Sequence, residues 1–283
     1  MMRAILTAAA VAVLPALPAL AADGAIKGVV KVKLPDGWKP TMVKIEKDTA
    51  ECCRGVKGNP KETAPCHGAN AHADDAMTVD PATGGLAGAV VYLTKMPEGG
   101  KRDWSFLKKE FKYEVNELAK PPTVVFDQKF CKYVPNVLIV PAGWNVILGN
   151  SDPIAHNVHT FAFKNDSINV VVPACKLAGD GSVAVRQEFG PVEGKTKDAE
   201  FVKVVCDIHP WMNAIWAVME HPYVTVTDAK GEFLLDKVPP GTYMVKIYHA
   251  KFGNKFAGAK GLEVKVGDGE TAVLTGIKEL EVK

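Results

Sequence analysis

The strongest constraint on this chain is a repeating pattern: short runs rich in Val, Ile, Phe and Tyr, each closed off by Gly, Pro, Asn or Asp. Residues 123–126, 137–140, 144–148, 158–163, 168–172, 183–189, 201–205 and 214–218 follow one another in this way. A further set at 223–227, 232–235, 242–248 and 262–266 is punctuated by Asp228-Ala229-Lys230-Gly231 and by Pro239-Pro240-Gly241. Runs this short, separated by turn residues, predict an all-β fold of the sandwich or barrel type. Upstream, Ile26, Val30 and Val32 alternate with Lys27, Lys31 and Lys33 before Pro35-Asp36-Gly37, and 89–93 reads as another strand, with 50–86 an irregular excursion between them. One segment breaks the pattern. Trp104, Leu107, Phe111, Val115 and Leu118 recur at helical spacing, Asp103 stands where a cap belongs and Pro121-Pro122 where a helix must stop, so one amphipathic helix is expected within 101–120.

Charge narrows the choice of partner. With 34 basic and 32 acidic side chains the formal charge is +2, which lacks the basic excess that phosphate contacts need, and a nucleic-acid partner is excluded. Met1-Met2-Arg3, an apolar run over 4–20 and Ala19-Leu20-Ala21 form the three parts of a secretory signal peptide, expected over 1–21, with the mature chain starting at Ala22. No other long apolar run occurs, so a periplasmic or secreted protein without a membrane span is expected. That compartment favours disulfides. The cysteines are Cys52, Cys53, Cys66, Cys131, Cys175 and Cys206. More than one connectivity is open; of the adjacent pair, Cys52 or Cys53 is expected to reach Cys66 or Cys131. No Cys-x-x-Cys-His occurs, which excludes ordinary c-type haem attachment.

Two segments carry chemistry. One is Asn150-Ser151-Asp152-Pro153-Ile154-Ala155-His156-Asn157-Val158-His159; the other is Cys206-Asp207-Ile208-His209-Pro210-Trp211-Met212. The second places a thiolate, an imidazole and a thioether on one loop between two expected strands. Soft sulfur with imidazole suits copper, and two His, one Cys and a distant Met is the ligand set of an electron-transfer copper site. A loop histidine taken alone is more often a hydrogen-bonding group than a ligand, and a cysteine in an exported chain is as often half of a disulfide; the paired spacing of His156 with Cys206, His209 and Met212 turns both toward ligation of one copper.

These residues carry a family resemblance. Cys-x-x-His-x-x-Met with an upstream His-Asn-Val-His is similar to the short-loop, amicyanin-like cupredoxins (blue-copper proteins), over about 121–220. The resemblance implies a Greek-key sandwich, copper ligation by His156, Cys206, His209 and Met212, a tie between the two ligand loops through Asn157, and His209 as the ligand nearest the surface. Pro210 and Trp211 read most simply as packing residues; the sharper alternative is an apolar rim around His209 where a transient redox partner of the cytochrome or dehydrogenase type docks. The flanks resemble something else. Thr227-Asp228-x-x-Gly231-x-Phe233 and Val238-Pro239-Pro240-Gly241-x-Tyr243, with Ile26-Lys27-Gly28-Val29 and Gly88-Ala89-Val90-Val91-Tyr92-Leu93, are similar to carboxypeptidase regulatory-like, transthyretin-type (prealbumin-like) β-sandwiches. Together these imply a signal peptide at 1–21, the first part of such a sandwich at 22–100, a connecting helix at 101–120, a cupredoxin at 121–220 inserted in or adjoining the sandwich, and the sandwich's second part at 221–283. Chain order of this kind also resembles bacterial exported proteins called methylamine-utilisation-like, a label that implies little about substrate.

His67 and His72 among Cys53, Cys66, Asp74 and Asp75 invite a second metal, but their irregular spacing favours a disulfide-tied loop. His221 and His249 read as structural, and Lys101, Lys108, Lys109 and Lys112 as a solvated face. The expected function is an exported carrier of single electrons through one Cu(II)/Cu(I) centre, not an enzyme. Two rivals stand beside it. A copper enzyme acting on a small molecule needs an open coordination position or a second metal; a module that merely holds copper or binds the envelope needs neither.

Overall fold

A computed structural model describes residues 21–48, 51–52, 71–74 and 76–282. The expected signal peptide, and Cys53, Cys66, His67 and Asp75, lie outside the described residues. The chain is built almost wholly of strands, as its alternating runs require. Among the described residues no helix is long and apolar enough to cross a membrane.

Two hydrophobic cores organise it. Around the first lie two five-stranded sheets. One orders Gln187–Val192, Asn145–Asn150, Thr123–Lys129 and Val115–Asn116, with Lys132–Val134 beside Thr123–Lys129; the other orders Asn169–Val172, His156–Phe161, Glu200–Val205, Asn213–Met219 and Val137–Pro141. Thr123–Lys129 pairs in parallel with Asn145–Asn150, as does Val137–Pro141 with Asn213–Met219. Inward-facing Phe126, Leu138, Val146, Leu148, Val158, Val202, Val204 and Trp216 fill the space between the sheets. Phe126 stacks on Tyr133 at 4.9 Å and meets Trp216 edge-on at 5.4 Å.

The second core is made by the two ends of the chain. Gly24–Val29 lies between Glu232–Val238, antiparallel, and Thr271–Val273, parallel. Val90–Leu93 lies between Val224–Val226 and Gly241–Tyr248, which pairs on with Leu262–Val266. The turn Asp228–Gly231 is fixed by Asp228 Oδ1, which accepts the N–H groups of Lys230 (2.8 Å) and Glu232 (2.9 Å). Gly231 has φ +75°, and a Cβ there would stand 2.3 Å from the Val30 carbonyl oxygen, so only glycine fits. The cores touch through Phe201, whose ring stacks on Tyr248 at 3.8 Å.

The expected helix over 101–120 is corrected. Only Phe106–Lys109 is helical; Lys112 turns to φ +57°, and Val115–Asn116 joins the sheet against Thr123 and Val124. The aromatic spacing serves a compact turn instead. Trp104, Phe106, Phe111 and Tyr113 pack ring on ring at 5.5 to 5.9 Å, while Leu118 is 90% exposed. Arg102, buried under this turn, donates through Nε to the Pro222 carbonyl (2.8 Å) and holds its guanidinium 4.1 Å from the Phe106 ring centre.

His249 is buried in the second core, and its Nδ1 accepts the Lys251 N–H (3.2 Å). Burial pushes its pKa down to about 4, against a hydrogen bond to the Ala87 backbone that favours the charged form. The unfolded chain therefore binds this proton at a higher pH than the folded one. The stability that comes from keeping His249 neutral is full above its ordinary value of about 6.5 and is lost as pH falls toward about 4, by about 3 kcal/mol over that window. Urea unfolding at neutral pH and at about pH 4 should show a smaller loss in His249→Gln than in wild type; equal losses would refute the assignment.

Candidate metal centre

The ligand loops are placed by strand pairing. Glu200–Val205 and Asn213–Met219 are antiparallel partners with Val205 opposite Asn213, so 206–212 is the loop that joins them. The loop closes on itself: Cys206 N–H donates to the Met212 carbonyl (3.2 Å) and Met212 N–H to the His209 carbonyl (2.9 Å). His156–Phe161 lies on the other side of Glu200–Val205 with His159 opposite Val205, which carries His156 to the same end of the sheet. The Cys206 sulfur and one ring nitrogen each of His156 and His209 lie within 4.8 Å of one another. The whole set is closed to solvent: His156 and His209 are 0% exposed, Cys206 and Met212 1%.

Each histidine is held from behind. His156 Nε2 donates to Asp152 Oδ2 (2.8 Å) and His209 Nε2 donates to Asp48 Oδ2 (2.9 Å). Both Nδ1 atoms therefore turn inward, 2.8 Å from each other, with His209 Nδ1 3.8 Å from the Cys206 sulfur. That sulfur also accepts the N–H groups of Asn157 and His209, each at 3.4 Å. Burial by itself would raise the Cys206 pKa, but hydrogen bonds from His156, His209 and these amides outweigh it and bring the thiol down to about 6. Burial opposes the charged form of His156 as well, and its bonds to Asp152 and Cys206 overcome that and raise its pKa. The pocket thus turns a sulfur and two ring nitrogens toward one point, where a soft cation can bind with release of protons. A thiolate and two imidazole Nδ1 atoms, converging and backed by carboxylates, fit copper.

Asn157 joins the two segments. Its Oδ1 accepts Asp207 N–H (2.6 Å) and its Nδ2 donates to Asp207 Oδ2 (3.1 Å). His159 is not among the converging groups; its Nδ1 lies 3.0 Å from Asp207 Oδ2 and its ring stacks on Phe161 at 4.4 Å. His209 is covered at its outer edge by Asp48, which itself meets solvent. Trp211, at 8% exposure, packs into the first core as the simpler reading has it, while Pro210 is exposed; both border a cavity of about 370 Å³ shared with Val43, Glu46 and Asn213.

The sequence reading missed two neighbours, Asp152 and Asp48, and did not place at the site the Cys52–Cys131 disulfide, one of the pairings it left open. Asp152 is 1% exposed, and beyond His156 it accepts the N–H groups of Phe130 (2.7 Å) and Cys131 (2.8 Å). The Asp48 carbonyl accepts the N–H groups of Glu51 (3.1 Å) and Cys52 (2.9 Å). A disulfide joins Cys52 to Cys131 and both sulfurs lie within 4.8 Å of a His209 ring nitrogen. One continuous chain of links therefore runs from His156 through Asp152, Cys131, Cys52 and Asp48 to His209. Cys175 and Cys206 are free thiols. A cavity of about 520 Å³, lined in part by Phe111, Val137, Thr227 and His249, is bordered by none of the four ligand candidates.

No family model matches this chain, and no curated protein matches it. Solved structures it is similar to include copper-containing ones. A variant of amicyanin in its reduced Cu(I) form at pH 4 is 25% identical, with a TM-score of 0.24 over 34% of this chain and 80% of its own. A reduced second variant of amicyanin is 22% identical (TM-score 0.25, 34% and 82%). A Cu-containing nitrite reductase from Thermus scotoductus SA-01 is 20% identical (TM-score 0.25, 34% and 22%). Likeness of this degree leaves the function to be argued from the site itself.

Proposed function

We propose that this chain is an exported copper protein that carries single electrons, with His156, Cys206, His209 and Met212 as the ligands of one ion. The observation that supports it most is the convergence of a thiol sulfur and two carboxylate-backed imidazoles in a site closed to solvent. A bound copper ion supplies a Cu(II)/Cu(I) couple that takes up and returns one electron. Everything else is the work of the chain. Asp152 and Asp48 fix the ring tautomers, so that Nδ1 lone pairs face inward whatever the charge at the centre. Asn157 and the amides on Cys206 restrain the sulfur and lower its basicity. Strands hold both ligand loops, and a framework that does not rearrange exchanges electrons over a low barrier.

Closure favours a carrier over an enzyme. The ligand candidates are sealed; the 520 Å³ cavity is lined by other residues, and a cavity of about 370 Å³ comes as near as Pro210 and Trp211 on the ligand loop but is lined by none of the four. Electrons can cross a thin cover where substrates cannot. Asp48, bonded to His209 and 41% exposed, is where the site approaches solvent. A partner touching there over less than about 1,200 Å² would exchange quickly.

Protein given one equivalent of Cu(II) should show an intense visible band and the narrow copper hyperfine splitting of a thiolate-bound ion in paramagnetic resonance. One tightly bound copper without colour would overturn the proposal. Two coppers per chain in the disulfide-intact protein, or turnover of nitrite, would move the assignment to an enzyme.

A further inference from the structure

A centre this closed raises the question of how metal gets in. With the ligand candidates 0 to 1% exposed, an ion must pass a wall, and beside His209 stands Asp48, which touches His209 Nε2 on one side and is 41% exposed on the other. The Asp48 carbonyl accepts the Cys52 N–H, and Cys52 is fastened by its disulfide to Cys131. Cys131 is fastened in turn by Asp152, and its sulfur, with Asp152 and His156, forms a second group of ligand atoms within 4.8 Å. The sulfur pair therefore borders both histidines from outside the centre.

We propose that Cys52 and Cys131, before they are joined, form with His209 a loading site for Cu(I), and that closing the disulfide shuts the way behind the delivered ion. This rests on the copper reading above. Two thiolates and an imidazole are a donor set that selects Cu(I), and the two sulfurs, here joined to each other, both lie within 4.8 Å of a His209 ring nitrogen. His209 belongs to both groups, so the ion moves from the outer sulfurs to Cys206, His156 and Met212 without leaving the protein. Closure then needs an oxidant, a protein disulfide of the thiol–disulfide exchange class. One thiolate attacks that disulfide and the second resolves the mixed intermediate. The Cys52–Cys131 bond forms, the donor's bond breaks, and two electrons and two protons end on the donor's two thiols. The copper takes no part in that step.

The test uses full-length Cys206→Ser, which lacks the inner thiol and keeps the outer pair. Its metal-free form, disulfide-reduced or disulfide-intact, is titrated with Cu(I) against a chromophoric Cu(I) chelator. The reduced form should hold one Cu(I) per chain at a chelator concentration that strips the intact form, and adding Cys52→Ser and Cys131→Ser should abolish that binding. If the reduced single variant holds no more than the intact one, or the triple variant holds as much because Cys53, Cys66 or Cys175 is responsible, the proposal is overturned. In wild type, colour should develop at least about tenfold faster in reduced than in intact metal-free protein, and equal rates would also overturn it. The two readings fail separately: a coloured wild type whose Cys206→Ser form ignores Cu(I) sinks the loading site alone, whereas a colourless wild type sinks the electron carrier.

Discussion

Replacing Cys206 by Ser is expected to erase the visible absorption of the copper-loaded protein and leave the fold standing. The colour of such a centre comes from charge passing from thiolate to Cu(II), and a serine hydroxyl, which stays protonated at neutral pH, cannot supply it. The fold should tolerate the change. The side chain is nearly the same size, and a serine oxygen can still accept the Asn157 and His209 N–H groups that now reach the sulfur at 3.4 Å. A stability loss within about 2 kcal/mol is expected, in the ordinary range for a conservative buried substitution. Optical spectra of wild type and Cys206→Ser at equal copper loading, with thermal unfolding as the control for folding, check this. A band that survives in the variant would remove the sulfur from the centre.

The second large effect should come from Asp152, which does two jobs with one carboxylate. Asp152→Ala leaves the N–H groups of Phe130 and Cys131 and the Nε2 of His156 without their acceptor. Each orphaned buried donor costs about 1–3 kcal/mol, and water admitted to the space recovers part of it, so a net loss of about 3–5 kcal/mol is expected in urea unfolding of metal-free protein. Asp152→Asn separates the two jobs. It nearly keeps the volume but points an amide NH2 at groups that themselves donate, which frees His156 to turn. Copper affinity, measured by competition, should fall about 10- to 100-fold, the usual effect of removing a partner behind a ligand. Wild-type affinity in Asp152→Asn would mean that the inward direction of Nδ1 is set by packing and not by the carboxylate.

What could be read in advance, and what could not, follows from how far each signal travels along the chain. The grouping of Cys206 with His209 was legible because both stand on a seven-residue loop between paired strands, and the all-β class because turn residues interrupt every apolar run. The helix over 101–120 misled because residues at helical spacing can equally line one side of a tight turn; only the sheet pairing of Val115 with Val124 decides between them. Asp152 stood in view within the first motif, yet its direction is set by contacts no spacing rule states, such as the Asp152 N–H on Asn150 Oδ1 (2.9 Å) and the Asn150 amide on the Ile154 carbonyl (2.8 Å). Asp48 carried no signal at all. It meets His209 only after the disulfide and the packing of Ile45 into the first core bring a remote segment across the site. That same segment is what stands between His209 and solvent.

The strand Gly24–Val29 lies between partners that come from the far end of the polypeptide. During synthesis it therefore emerges long before either neighbour exists, whereas the strands around the copper-ligand candidates are made close together in time. Closing so long a span carries a large entropic cost and is slow compared with local pairing. The inner sheets can condense while the outer layer is still open, which leaves an interval in which a newly made chain has its ligand loops in place and its first strand still waiting.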